Sequence, residues 1–201
     1  MSGPKLSTLR NLLVLTAFML IGIAVAFYFR PLPIDSRLAQ GDKLGGDFTL
    51  QSAEGALSLK DYRGKAVVMY IGYASCPDVC PTALAVLSQA LREMEEDEVA
   101  SIRGLFMSVD PERDTPEKLA KYAAFFHPNI DGATADRSTI DKVVRQYGAF
   151  YRIVEMKDSA MGYAVDHSSR LYVINKEGEL SSILHHNSSA EELVAELRKI
   201  I

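Results

Sequence analysis

At 201 residues the chain has room for one ordinary domain and little more, and its 48% hydrophobic content lets that domain build a core without disulfide staples. The net charge is −4; Lys5, Arg10 and Arg30 precede residue 31 with no acidic residue beside them, so removing those three positives leaves −7 on residues 31–201. An acidic domain lacks the basic footprint that nucleic acid requires, but it can still bind a cation or a basic face of a partner protein.

Residues 1–11 carry Lys5 and Arg10 and are expected on the cytoplasmic side. Leu12 to Phe29 form an uncharged apolar run, LLVLTAFMLIGIAVAFYF. Its eighteen residues reach the lower limit for crossing a bilayer. Phe27, Tyr28 and Phe29 crowd the far end, where an interfacial aromatic belt belongs. Two positives before the run against one after it point the N-terminus toward the cytoplasm. Ala24-Val25-Ala26 resembles a signal-peptidase site, but the apolar run continues through it, so the segment reads as an uncleaved anchor. Residues 30–43 are expected to be a linker, with Pro31, Pro33 and Gly41 as its breakers. Residues 44–201 form the domain proper.

Within that domain, Phe48-Thr49-Leu50 and Leu57-Ser58-Leu59 alternate around Glu54-Gly55, which predicts a hairpin. Ala66 to Tyr73 is a continuous apolar run suited to a strand covered on both faces. A cysteine-containing segment follows at once. Ala83 to Glu98 then repeats apolar residues at helical spacing. Ile102 to Val109 predicts a second buried strand. After it, Asp114 or Thr115 can cap a helix that has Pro116 in its first turn and runs to about His127. Ser138 to Tyr147 predicts a further helix, stopped by Gly148. Short strands are expected at Phe150–Val154 and Tyr163–Val165. Arg170 to Asn175 and Glu179 to Leu184 flank a Lys176-Glu177-Gly178 turn. Ser189, with Glu192 as its capping-box partner, opens a closing helix to Ile201. This alternation predicts an α/β fold, a mixed sheet flanked by helices. A buried strand running into a cysteine pair at a helix start, with a late hairpin and a final helix, is the thioredoxin-like layout.

The chain has two cysteines, Cys76 and Cys80, with three residues between them. A bridge closing so short a loop removes little entropy from the unfolded chain, so the pair reads as chemical rather than structural. Its position at a strand end and helix start favours thiolate, the form that binds metal and attacks disulfides. Pro77 and Pro81 stiffen the segment. Thioredoxin-type oxidoreductases have one residue fewer between their cysteines. Soft thiolates select Cu(I), Zn(II) or iron–sulfur clusters. A cluster calls for more cysteines and structural zinc for four protein ligands, whereas copper accepts two or three, so copper fits this inventory best. A third ligand should be an imidazole, from His127, His167, His185 or His186. His127 has an alternative role at a helix C-terminus, and His185 and His186 follow a strand at a surface turn. His167 directly precedes a strand expected to run beside the cysteine strand, with Asp166 or a carbonyl available to orient its ring. On the residues alone, His167 as a ligand and His167 as a structural histidine both stay open. Met161 is a further soft neighbour whose alternative role is packing.

Gly72-Tyr73-Ala74-Ser75-Cys76-Pro77-Asp78-Val79-Cys80-Pro81-Thr82 closely resembles the cysteine motif of the Sco/SenC family, copper proteins of cytochrome c oxidase assembly. Asp110-Pro111-Glu112-Arg113-Asp114-Thr115-Pro116 and Tyr163-Ala164-Val165-Asp166-His167-Ser168 resemble its second and third motifs, in the same order. Ala74-Ser75 and Asn175-Lys176 depart from the common pattern without touching a proposed ligand. The resemblance covers about residues 44–201. It implies a thioredoxin-like fold and Cu(I) or Cu(II) held by Cys76, Cys80 and His167. It also implies a chaperone that delivers copper to, or prepares the cysteines of, an oxidase's dinuclear copper centre. The implied partners are the oxidase copper-centre subunit, a periplasmic copper donor and the membrane. A thiol–disulfide reductase or a copper or redox sensor using the Cys76/Cys80 pair is the alternative. With no Arg- and Ser-rich transit peptide ahead of the anchor, the expected location is a bacterial inner membrane, the domain on its periplasmic side.

Overall fold

The computed structural model describes residues 6–28, 44–156, 159 and 161–201, with side chains in the first segment at 8 and 10–23. The chain divides into two units, Met1–Asp42 and Lys43–Ile201. In the first, helix α1 spans Leu6–Tyr28, and its large apolar side chains from Leu12 to Ile23 are exposed. Among the described residues no helix is long and apolar enough to cross a membrane. Phe29 and the linker expected over 30–43 lie outside the described residues.

The second unit is built on a seven-stranded mixed sheet. Its strands are β1 (Thr49–Ser52), β2 (Gly55–Ser58), β3 (Ala66–Gly72), β4 (Ile102–Ser108), β5 (Ile130–Thr134), β8 (Arg170–Ile174) and β9 (Leu180–His185), in the order β2-β1-β5-β4-β3-β8-β9. β3, β4 and β5 run parallel, while β8 pairs antiparallel with β3. Every residue of β3 is buried, as its unbroken apolar sequence requires of a strand covered on both faces. Two further strands, β6 (Tyr151–Glu155) and β7 (Tyr163–His167), pair only with each other. The expected hairpin is β1–β2, and the late hairpin is β8–β9.

Helices cover both faces of the sheet. Tyr70 of β3 stacks on Phe106 of β4, which meets Tyr122 of α4 (Pro116–Phe126). One residue along, Met69 pairs with Tyr172, whose ring meets Tyr147 at the end of α5 (Arg137–Gln146) on the opposite face. Helix α2 spans Val79–Glu93 and shares the Tyr70 side.

Three helix boundaries differ from expectation. α2 starts at Val79, because Pro81 is tolerated in a first turn whose N–H groups have no intrahelical partner. It stops at Glu93: Met94 is extended, and Glu95 opens a separate helix α3 (Glu96–Ala100) through a capping box with Glu98. The closing helix α6 covers Ala190–Leu197 and ends four residues before Ile201; its Ser189/Glu192 capping box forms as expected. Thr115 caps α4 with Pro116 at its start, and Gly148 ends α5 at a positive φ of 62°.

Strand β5 has no counterpart in the sequence reading. Ile130-Asp131-Gly132-Ala133-Thr134 lacks the β-branched and aromatic density of a recognisable strand. Gly132 explains its composition: a Cβ there would lie 2.2 Å from the Leu119 carbonyl oxygen of α4. The glycine lets helix backbone lie directly on strand backbone. Gly132→Ala is therefore expected to destabilise the domain by about 1–3 kcal/mol through overpacking, read as a lowered urea midpoint with an unchanged slope. Unchanged stability would contradict this packing.

Candidate metal centre

The site forms where β3 ends. Gly72 is the last residue of β3, and a Cβ there would meet the Cys80 Sγ at 2.6 Å, so only glycine lets that sulfur sit against the strand end. The chain turns at Tyr73–Cys76, where the Cys76 N–H donates to the Tyr73 carbonyl at 3.2 Å. Cys76 stands outside the helix and Cys80 in the first turn of α2, so the pair bridges a turn and a helix start rather than two turns of one helix. Cys80 is fully buried, while Cys76 is 9% exposed at the rim.

His167 ends β7, directly before β8 carries the chain back beside β3. Its Nε2 lies 3.4 Å from the Cys80 Sγ. The edges of Tyr70 and Tyr73 flank the imidazole, with ring centroids 6.1 and 5.8 Å away. The ring's other nitrogen, Nδ1, faces the Ser168 carbonyl at 3.4 Å. Asp166 does not orient it: neighbouring residues of a strand point to opposite faces, and Asp166 pairs with Arg152 on the outside of the hairpin at 2.6 Å. The ligand atoms of Cys76, Cys80 and His167 all lie within 4.8 Å of one another, and among the described residues this is the one such group.

The remaining histidines sit elsewhere. His127 caps the end of α4, and its Nδ1 accepts from the Asn129 N–H. His185 is exposed at the end of β9, and the His186 N–H donates to the Ser169 carbonyl. Met161 lies partly exposed near the β6–β7 turn, outside the ligand group.

The two sulfurs differ electrostatically. The Cys76 thiol is pulled down to about 3, first by a hydrogen bond from Cys80, then, against the opposing effect of burial, by bonds from His167 and the backbone of Asp78 and Cys80. Burial raises the Cys80 thiol far above its ordinary range, reinforced by the adjacent Cys76 charge. One proton is therefore shared unequally: Cys76 is a thiolate at neutral pH and Cys80 keeps its hydrogen. Both cysteines are free.

Two thiol sulfurs and one imidazole nitrogen, converging beside a hydrophobic core, suit a soft ion of low coordination number better than a hard, oxygen-seeking one. Cys76 and His167 open onto a cleft of about 620 Å³ whose walls include Asp78, Phe150, Arg152 and Asp166. The sequence assigns Asp110 no role and offers Asp114 only as a helix cap, a place that Thr115 takes; both carboxylates are fully buried behind the cysteine turn. An acidic pair directly after an apolar strand is the signal that marks them, because buried carboxylates require partners.

A family model described as SCO1/SenC matches residues 36–201. The chain is 36% identical over 158 residues to the mitochondrial SCO2 homolog of Mus musculus, covering 78% of this chain and 62% of that protein. The chain thus spans about three-fifths of that mitochondrial relative. It is 30% identical over 195 residues to a SCO2-like protein of Rickettsia conorii, covering 92% of this chain and 95% of the relative. Among solved structures, Bradyrhizobium japonicum ScoI with copper bound superposes with a TM-score of 0.70 at 34% identity, covering 79% of this chain and 99% of that one.

The unequal proton sharing predicts the order of thiol alkylation. With one equivalent of iodoacetamide, the reduced metal-free protein should be labelled at Cys76 before Cys80. The rate should stay nearly flat from pH 5 to 8, because the Cys76 thiolate is complete well above about 3. An ordinary cysteine would instead quicken about tenfold per pH unit below its pKa of roughly 8.5. Peptide mapping by mass spectrometry reads the site, and a tenfold-per-unit climb would exclude the assignment.

Proposed function

The chain belongs to the SCO1/SenC family, and from that premise we propose that it is a copper-binding assembly factor for the dinuclear copper centre of a haem–copper oxidase. The convergence of Cys76, Cys80 and His167 within 4.8 Å carries this reading. Copper is cargo here, held by those three residues, and its preference for soft donors matches two thiolates and an imidazole. Cys76 offers a ready thiolate at the rim. Cys80 must give up its proton to become a second sulfur ligand, so loading releases a proton and strengthens as pH rises. His167 adds an imidazole nitrogen from the end of β7. The cleft leaves room for an acceptor's donors to enter beside Cys76.

Thiol–disulfide exchange at the same pair is the second reading, supported by the thiolate–thiol asymmetry. In forming a Cys76–Cys80 disulfide, the pair gives two electrons and the Cys80 proton to an acceptor disulfide, which, with one proton from solvent, becomes two thiols. The oxidase copper-centre subunit is the proposed acceptor in both readings, and a periplasmic protein the proposed copper donor.

The proposed arrangement in the membrane is a cytoplasmic 1–11, an anchor over 12–29, a linker over 30–43 and a periplasmic domain over 44–201. An uncharged apolar run of eighteen residues supports the anchor. So does the exposure of α1's described apolar side chains, since a helix apolar all round needs an apolar surrounding. The full chain should stay with membranes through an alkaline carbonate wash; its release would overturn the anchor.

Titration of the reduced protein with copper tests the function. A single-equivalent endpoint with a thiolate-to-Cu(II) charge-transfer band is expected. His167→Ala should keep Cu(I) on the two sulfurs but lose Cu(II) affinity by more than the roughly 10–100-fold that removal of a ligand's outer partner costs. A His167→Ala protein that binds Cu(II) like the parent, or a parent that retains neither ion against a competing chelator, would sink the reading. Thiol exchange that survives His167→Ala while oxidase maturation is also unaffected would favour the reductase.

A further inference from the structure

The third ligand is carried by an element that the main sheet does not hold. Among the described residues β6 and β7 form strand ladders only with each other, and an isolated two-stranded hairpin is marginal in water. Within β7, Tyr163, Val165 and His167 share the inward face, and Ala164 and Asp166 the outward one. Val165 is buried beneath the strand. The base of the hairpin is closed by Ser168 and Phe150, and Tyr151 of β6 donates to Asp141 of α5 at 2.6 Å. The far end of β7, about 13 Å from His167 along the strand, is gripped by Arg113.

That grip is fork-shaped. Arg113 Nε donates to Asp110 Oδ2 at 2.5 Å. Its Nη1 donates to the Tyr163 carbonyl at 3.0 Å and the Met161 carbonyl at 3.3 Å. The guanidinium lies 3.7 Å over the Tyr163 ring, and the Tyr163 hydroxyl returns to Asp110 Oδ1 at 2.7 Å. The remaining nitrogen, Nη2, is buried without a hydrogen-bond partner, so this cation is held by shape and ring contact as much as by bonds. Arg113 touches none of the three ligands.

We infer that Arg113 is a positioning residue for the metal centre: its clasp on Tyr163 fixes the lie of β7 and so holds His167 beside Cys80. The inference rests on the copper reading for its purpose, but the clasp itself can be observed without metal. A lysine in its place keeps the charge and loses the fork, so it cannot bond Asp110 and the β7 carbonyls together.

The test uses Arg113→Gln and Arg113→Lys in the full chain. In the metal-free protein, amide hydrogen exchange across β6 and β7 should quicken at least about tenfold in both variants, with β3 and β4 unchanged. Cu(II) affinity should fall about 10–100-fold, the range for outer partners of a ligand, while Cu(I) retention by the cysteine pair stays near the parent's. Adding Arg113→Gln to His167→Ala should cost nothing further, because both changes remove the same ligand. If the two losses multiply, or hairpin exchange is unaltered, Arg113 does not act through His167 and the inference fails. Should Arg113→Gln not fold, Tyr163→Phe, which deletes one hydroxyl, carries the same comparison. A parent that binds no copper refutes the copper reading instead, and the exchange data still decide the clasp.

Discussion

Asp110 and Asp114 are both fully buried, in one turn at the carboxyl end of β4, and the site is assembled around the partners they demand. Burying an unpaired carboxylate costs several kcal/mol, so each oxygen must be met. Asp114 Oδ2 accepts from the Ala74 N–H at 2.8 Å and the Ser108 hydroxyl at 2.7 Å, while Oδ1 pairs with Lys118 at 2.7 Å. Asp110 takes the Tyr163 hydroxyl and the Arg113 guanidinium. One carboxylate thereby fixes the turn that presents Cys76, and the other reaches the strand that ends in His167. Satisfying two charges in the core brings together two segments some ninety residues apart in the chain.

The sheet supplies what the carboxylates cannot. β3 and β4 are parallel neighbours, so their carboxyl ends lie side by side and the cysteine turn emerges next to the acidic turn; the Val109 N–H donating to the Gly72 carbonyl joins them. β8 runs antiparallel to β3, so its start, immediately after His167, lies near the end of β3. A topology with β8 parallel to β3 would send His167 to the opposite end of the strands. The closeness of His167 Nε2 to Cys80 Sγ is thus a consequence of strand direction as well as of local sequence.

Much of this is legible in the sequence. β3, β4 and the caps at Thr115 and Ser189 were readable because apolar continuity and capping are local signals. β5 was not, because its glycine serves a contact with α4 that no window of sequence contains. Of the two groups the sequence offers to orient the imidazole, Asp166 or a carbonyl, period-two alternation along β7 sends Asp166 to the other face, and the Ser168 carbonyl faces Nδ1. The cysteine pair was recognisable from spacing. The choice of His167 among four histidines needed either family resemblance or the strand order, since adjacency across β3 and β8 is a tertiary fact.

The same geometry supports the proposal that a metal at this site would be cargo rather than a permanent cofactor. A structural metal site is closed, with four ligands and no access. Here three donors come from three separate pieces of backbone: a turn, a helix start and a hairpin outside the main sheet. Cys76 sits at the rim as a thiolate, Cys80 sits in the core and holds its proton, and His167 stands on the cleft wall. Each donor can therefore be engaged or released on its own, at a different energetic cost. His167 shares no backbone element with the sulfurs, Cys76 is already ionised, and Cys80 alone is tied to a proton whose return favours release. In the proposed chaperone, an acceptor's sulfur entering the cleft would meet Cys76 and His167, which line it, before the fully buried Cys80.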